Sequence, residues 1–271
     1  MNLENTIRNY IINFDGKIAV YYDDLKGKTL AINENGLYNG ASCIKVFVLI
    51  ELFNQLYKGI KSRDDVLKCE EKHYVDGSGV LQYLSKHIEL NVLDVATLMM
   101  IISDNVATNM LIDYLGIENI NRAIKELGCD NTKLLSKFKL GKYELFSVIT
   151  AKDYANVWKK INNKELYDAN ISKEIIDILK HQKYHEMVLD GIDDIYKDVD
   201  NSVIKYTATK SGKYKSVRND GGIVSTIYGD YILVIFIKDF KDEFYMNDSY
   251  AYEYGRKISN IIFNNFINRG E

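Results

Sequence analysis

The sequence predicts an α/β fold: an antiparallel sheet built from both chain ends and flanked by terminal helices, with an inserted all-α lobe. Three observations carry this. β-Branched and aromatic runs open the chain, helical periodicity fills residues 60 to 190, and strand-like runs return from residue 203. The whole of 1–271 reads as one domain, with a sheet lobe at 1–40 and 200–271 and a helical lobe at 41–199. No linker, internal repeat or low-complexity tract marks a second unit.

The runs KIAVYY (17–22) and KTLAIN (28–33) flank Asp23, Asp24 and Gly27, which reads as a hairpin. From Ser42 to Tyr57 the residues Ile44, Phe47, Val48, Leu49, Leu52, Phe53 and Leu56 recur at helical spacing and predict a mostly buried helix. Further helices are expected at 78–87, 92–102, 105–115, 117–127, 151–161 and 172–186. Strands are expected at 203–210, 221–228 and 230–238, with Tyr228-Gly229-Asp230 as a tight turn. Tyr252, Ile258, Ile261, Ile262 and Phe266 then form the apolar stripe of a closing helix. Two lobes of this kind meet at a seam, the natural place for a cleft and its chemistry.

Composition narrows the function. The chain has 271 residues, 35 basic and 38 acidic side chains and a formal charge of −3, which argues against a nucleic-acid partner. Cys43, Cys69 and Cys129 are an odd, widely spaced set and read as reduced core thiols. No stretch approaches the roughly 18 apolar residues of a membrane span. The N-terminal MNLENTIRNYIINFDGK shows no secretion signal, which leaves a cytoplasmic protein if Met1 is native or an exported one if a leader was trimmed.

Ser42-Cys43-Ile44-Lys45 places a hydroxyl and an amine nearly one helical turn apart, on one face, where a proton can pass between them. The helix start adds free N–H groups and the positive end of the dipole. The apolar neighbours Ile44 and Val46 to Leu49 predict a partly buried Lys45 amine with a lowered pKa. Ser103-Asp104-Asn105 follows the apolar LMMII and by itself reads as a helix cap. Lys210-Ser211-Gly212 ends a strand and is followed by GGIVSTI. Each alone is a common pattern.

In that order the three are the SxxK, SDN and KTG set, and the chain resembles the class A β-lactamase family of penicillin-recognising serine enzymes. GSGVLQYL (77–84), LMMIISDNVATNMLIDYLG, INRAIKELGCDNTKL, TATKSG and NDGGIV extend the resemblance from about residue 17 to the last helix. It implies Ser42 as the acylated nucleophile, Lys45 as a participant in its deprotonation, and Ser103 as proton relay to the leaving nitrogen. Asn105 would contact Lys45 and the substrate's side-chain amide, and Asp104 would be a structural cap. Lys210 and Ser211 would bind the substrate carboxylate, and the N–H groups of Ser42 and of Lys213, which follows Gly212, would hold the oxyanion. The resemblance also implies a monomer, a small β-lactam, acyl-peptide or ester substrate, and no cofactor.

One part departs from the family. Class A enzymes carry a loop glutamate that activates the deacylating water. Here NTKLLSKFKLGKYELF is shorter, and aligning Thr132-Lys133-Leu134 with the family's lead-in puts Phe138 near the glutamate's place. Glu144 is the one carboxylate between Asn131 and Thr150, among Lys133, Lys137, Lys139 and Lys142, which would weaken it as a base. The expectation is fast acylation with slow hydrolysis, or a protein that is acylated by penicillin without turning over. Arg218, read as lying in a turn between strands, is a candidate carboxylate contact or a solvated residue. Tyr74 is a candidate aromatic wall. His181 and His185, read one turn apart on a helix, resemble HExxH, but Gln182 stands where the glutamate is needed, so no metal is expected. His73 and His87 read as surface residues.

Overall fold

The computed structural model describes residues 2–139, 145–198, 202–241 and 249–268. Helix α1 (Leu3–Ile11), capped by Asn2, leads into the hairpin β1 (Lys17–Asp23) and β2 (Thr29–Ile32), and then the short β3 (Tyr38–Asn39). A single 3-10 turn, Ala41–Ile44, precedes α2 (Lys45–Tyr57). The helical lobe continues through β4 (Val66–Lys68), β5 (Glu89–Asn91), α3 (Val92–Ile101), α4 (Asn105–Leu115), α5 (Ile117–Glu126), β6 (Lys133–Leu134), β7 (Ser147–Ile149), α6 (Ala151–Asn162) and α7 (Ala169–Leu179). The chain returns to the sheet as β8 (Ile204–Thr209), β9 (Gly212–Tyr214), β10 (Val217–Thr226) and β11 (Gly229–Lys238), and closes with α8 (Tyr250–Ile267).

The main sheet runs β2-β1-β11-β10-β8, with β9 also paired to β10, and every pairing is antiparallel. Side-chain alternation along β11 divides its apolar run between two cores. Leu233, Ile235 and Ile237 pack with Ile18 and Val20 beneath α1 and α8. Ile232, Val234 and Phe236 face the helical lobe, where Tyr154 of α6 meets Phe236, Phe47 of α2 and its own neighbour Trp158. Both faces of β11 are covered, so its sequence is a continuous apolar run and not an alternating one.

Four expectations need correction. Residues 78–87 form a loop with one 3-10 turn at Leu81–Tyr83, because Gly77 and Gly79 take φ of 114° and 104°. A Cβ on Gly79 would lie 2.2 Å from Asp104 Cγ, so the glycine is needed for close approach. Helix α7 begins earlier, at an Asp168 cap, and stops at Leu179, which takes His181 and His185 off any helix. The middle is also not purely α-helical: β4 pairs β5, and β7 pairs both β3 and β6. Finally, His73 is buried, with Nε2 3.1 Å from Asp113 Oδ2, while His87 is exposed.

Cys43, Cys69 and Cys129 are free and buried. Among the described residues no helix is long and apolar enough to cross a membrane.

Gly222 of β10 pairs with Thr209 of β8, and a Cβ there would sit 2.1 Å from the Ala208 carbonyl oxygen. Backbone on both sides cannot yield as a flexible side chain would. Gly222→Ala is therefore expected to destabilise the fold by about 3 kcal/mol, read as a lower urea midpoint at unchanged m-value; an unchanged midpoint would mean that the strands can separate there freely.

Candidate active site

The 3-10 turn at 41–44 presents Ser42 at the lobe seam. Asn39 shapes the approach: its Oδ1 accepts the Ala41 N–H at 2.9 Å, and its carbonyl accepts from Asn219 Nδ2 of β10 at 2.8 Å. Ala41 takes a φ of 42°, a left-handed conformation costly for alanine that the surrounding anchors impose. Strand β9 closes on the same turn. A Cβ on Gly212 would stand 2.6 Å from Ser42 N and 2.9 Å from Cys43 N, so only glycine lets the sheet edge come this close. The Lys210 carbonyl binds the two elements together by accepting from Tyr154 Oη at 3.0 Å and Cys43 Sγ at 3.3 Å.

Lys45 begins α2 and is completely buried. Its Nζ donates to Ser103 O at 2.7 Å, Ser103 Oγ at 3.1 Å and Asn105 Oδ1 at 2.8 Å. The Phe138 ring centroid lies 4.9 Å away. Burial, followed by the charge of Lys210, holds the Lys45 pKa well below the usual lysine range. Ser42 Oγ is not among the hydrogen-bond partners of Lys45 here. Such contacts often tighten only when substrate binds.

Ser103 is buried and takes a φ of 56° between α3 and α4, with its hydroxyl accepting from Lys45. Asp104 is wholly structural in its contacts. Its carboxylate caps α4 through the Ala107 N–H at 2.9 Å and accepts Val80 N–H at 2.7 Å and Leu81 N–H at 2.9 Å, pinning the 77–81 loop. Asn105 Nδ2 reaches the Asp76 carbonyl at 3.3 Å.

Ser42, Ser103, Asn105, Ser211, Gly212 and Lys213 line one cleft of about 190 Å³. Lys210 does not line it. Its buried Nζ donates to the Ser211 carbonyl at 2.9 Å, so it is a charge behind the cleft floor, with a pKa lowered to about 8 mainly by burial. Arg218 is not in a turn: it lies in β10, fully buried against Phe240 and Tyr252, and is absent from the cleft lining. Tyr74 borders an adjoining depression, and its neighbour Val75 faces the cleft instead. Glu144 lies outside the described residues.

Phe138 does line the cleft. Asn109 of α4 fixes it on both sides, accepting its N–H at 2.8 Å and donating to its carbonyl at 3.0 Å, and the ring stacks on Phe146 at 4.9 Å.

The sequence reading misses the wall formed by Tyr184 and Glu186, because it extends α7 through them. Their loop is held by Asp220, whose carboxylate accepts the Met187 and Val188 N–H groups at 3.0 and 2.9 Å and whose pKa burial raises to about 6. Glu186 binds Lys213 Nζ at 3.3 Å and Tyr252 Oη at 2.9 Å. The adjacent NDGG is the one signal in the sequence for this anchor. Among the described residues no group of three or more His, Cys, Asp or Glu is placed to hold a metal.

Solved structures share this arrangement of elements. PBP-A is 24% identical with a TM-score of 0.87, over 99% of this chain and 97% of that one. A point mutant of PBP-A, solved as an acyl-enzyme complex with penicillin G, matches at 24% and 0.87 over 98% and 97%. A β-lactamase from Sphaerobacter thermophilus is 21% identical with a TM-score of 0.86, covering 97% of this chain and 96% of that one. These identities establish likeness of fold. No curated protein matches the chain. The profile described as "Beta-lactamase enzyme family" matches residues 2–266. With nearly its whole length inside that profile, the chain belongs to the beta-lactamase enzyme family and is a hydrolase.

Proposed function

We propose that the protein is a serine acyl hydrolase that opens β-lactam amides through an acyl-Ser42 intermediate and releases the acyl group slowly. The observation that carries this is a buried Lys45, its pKa held well below the lysine range, 4.9 Å from the ring of Phe138, which lines the cleft. Lys45 takes the Ser42 proton, Ser103 passes a proton to the leaving nitrogen, and Asn105 orients the substrate amide. The N–H groups of Ser42 and Lys213 receive the oxyanion. Ser211 binds the substrate carboxylate over the positive field of Lys210. Deacylation needs a base for water, and phenylalanine offers none. That the PBP-A mutant is an acyl-enzyme complex with penicillin G supports acylation on this fold. The second reading, a penicillin-binding or D-alanyl-peptidase or esterase-like protein with little β-lactam turnover, rests on the same phenylalanine.

Intact mass spectrometry with benzylpenicillin, run beside a chromogenic cephalosporin assay, tests the scheme. One adduct should accumulate within the first turnover, disappear slowly with product release, and be lost in Ser42→Ala. An adduct that survives without product selects the second reading, and an adduct retained by Ser42→Ala removes both.

Phe138→Glu places a carboxylate where the ring now stands. General-base assistance contributes roughly 10²-fold or more, so its deacylation rate should rise at least about tenfold. Equal deacylation rates in variant and parent would show that the limit lies elsewhere.

The pH profile of the acylation rate constant divided by the substrate dissociation constant should be bell-shaped. Activity rises as Lys45 loses its proton, through a pKa depressed from the lysine range. It falls as Lys210 loses its charge at about pH 8 and the carboxylate loses its attraction. Lys210→Arg, which stays charged, should carry the alkaline limb upward; a limb that does not move assigns it to another group.

A further inference from the structure

The cleft holds a cation whose side chain the sequence reading leaves without a role. Lys210 and Arg218, the two basic side chains expected to serve a substrate carboxylate, do not line it: one lies behind the floor and the other is buried in β10. Two other lysines do line it. Lys139 follows Phe138 and also borders the adjoining depression with Tyr74 and Asp76. Lys213 lies in β9, next to the Gly212 that meets the Ser42 turn. It reaches the same wall as Ser211. Ser211 Oγ donates to the Tyr184 carbonyl at 3.5 Å, and Lys213 Nζ pairs with Glu186 Oε1 at 3.3 Å, each partner itself a lining residue.

The acidic partner of this pair is fixed from two elements. From α8, Tyr252 Oη donates to Glu186 Oε2 at 2.9 Å and Arg256 Nε donates to the Glu186 carbonyl at 3.1 Å. From β10, the Asp220 carboxylate accepts the Met187 and Val188 N–H groups that follow. The Glu186 side chain is 7% exposed against 28% for Lys213, so the carboxylate is sealed and the lysine is the member that meets solvent. An ion pair with one immobile, sealed partner differs from a surface pair between two mobile chains: little entropy is spent holding the ammonium in one place. Both anions here are already engaged, Asp220 with backbone N–H groups and Glu186 with Tyr252 and Lys213, while Lys210 adds buried positive charge behind the floor.

We propose that the Lys213 ammonium is the direct cationic contact of the substrate carboxylate, setting a preference for acids over their neutral esters, and that Glu186 is the positioning residue that holds it beside Ser211. The inference rests on the acyl-Ser42 reading. Ser211 supplies a hydroxyl, Lys213 a charged donor, and Lys210 a field through the floor; a charged donor makes roughly twice as strong a hydrogen bond as a neutral one. The N–H that Lys213 offers the oxyanion belongs to the backbone, so replacing the side chain leaves that donor in place.

Benzylpenicillin and its methyl ester, which lacks the negative charge, test the assignment. Intact mass spectrometry of the full chain gives, for each compound, the Ser42 acylation rate constant divided by the dissociation constant, and the ratio of acid to ester is the readout. The parent should favour the acid by about tenfold or more, and Lys213→Ala and Lys213→Gln should each lower that ratio by at least about fivefold. Lys213→Arg should keep the ratio, Lys139→Ala should leave it at the parent value, and Glu186→Gln should lower it. A ratio unmoved in the Lys213 variants, including an equal loss on acid and ester such as a structural defect gives, overturns the proposal. So does a parent that does not distinguish the two compounds, a result that requires no variant to fold. An adduct with an unmoved ratio removes this inference alone; no adduct with either compound removes the acylation reading and this inference with it.

Discussion

Everything in the cleft depends on the Lys45 amine being sealed from water. An isolated buried ammonium costs several kcal/mol, and an ion pair to a carboxylate would restore its charge. Here its direct partners are a carbonyl, a hydroxyl, an amide oxygen and an aromatic ring. Dipoles hold the amine in place but offset only part of the desolvation, so the neutral form gains. The burial itself comes from α2, in which every residue from Lys45 to Gln55 is buried, packed among α3, α4, α5 and α7. A helix buried on all sides at its start leaves a lysine there nowhere else to go.

The second constraint is the narrow gap between the sheet edge and the nucleophile turn. Gly212 sets its width, and the Lys210 carbonyl, accepting from Tyr154 and Cys43, sets its register. Small residues bring two backbones to contact distance, a closeness that the proposed oxyanion site would require. On the far side Asp104 ties the 77–81 loop to the start of α4, so Ser103 and Asn105 are held from both directions. Cleft geometry is thereby fixed by backbone and capping contacts.

How much of this was legible follows from the range of the interactions. The buried α2, the β1-β2 hairpin and β11 are written in local periodicity, and the sequence reading places them closely. The convergence of Ser42, Ser103 and Ser211 on one cleft was legible through motif order, since no local rule joins positions so far apart. What failed was tertiary. Residues 78–87 have a helical apolar pattern, but Gly79 is there to meet Asp104, and that collision is invisible until the two segments are folded together. Arg218 looks like a turn cation because its neighbours are polar, whereas β10 buries it under Phe240 and Tyr252. Glu186 was hidden because its loop is anchored by Asp220, on a strand 33 residues beyond Met187 and 32 beyond Val188.

Phe138 gives the last step, because it couples the two halves of the proposed reaction. Its ring lies 4.9 Å from the Lys45 amine. A carboxylate at that distance would stabilise the lysine's positive charge by about 3 kcal/mol at an effective dielectric of about 20, equivalent to about 2 pKa units. A base for water and a neutral lysine for Ser42 thus compete within one electrostatic neighbourhood: each carboxylate placed to help the second step makes the first step's base harder to deprotonate. With an aromatic ring there, held by Asn109 and Phe146, no carboxylate opposes the burial that lowers the Lys45 pKa. The proposed slow release would then follow from the same arrangement that favours the proposed acylation, without a damaged or incomplete site.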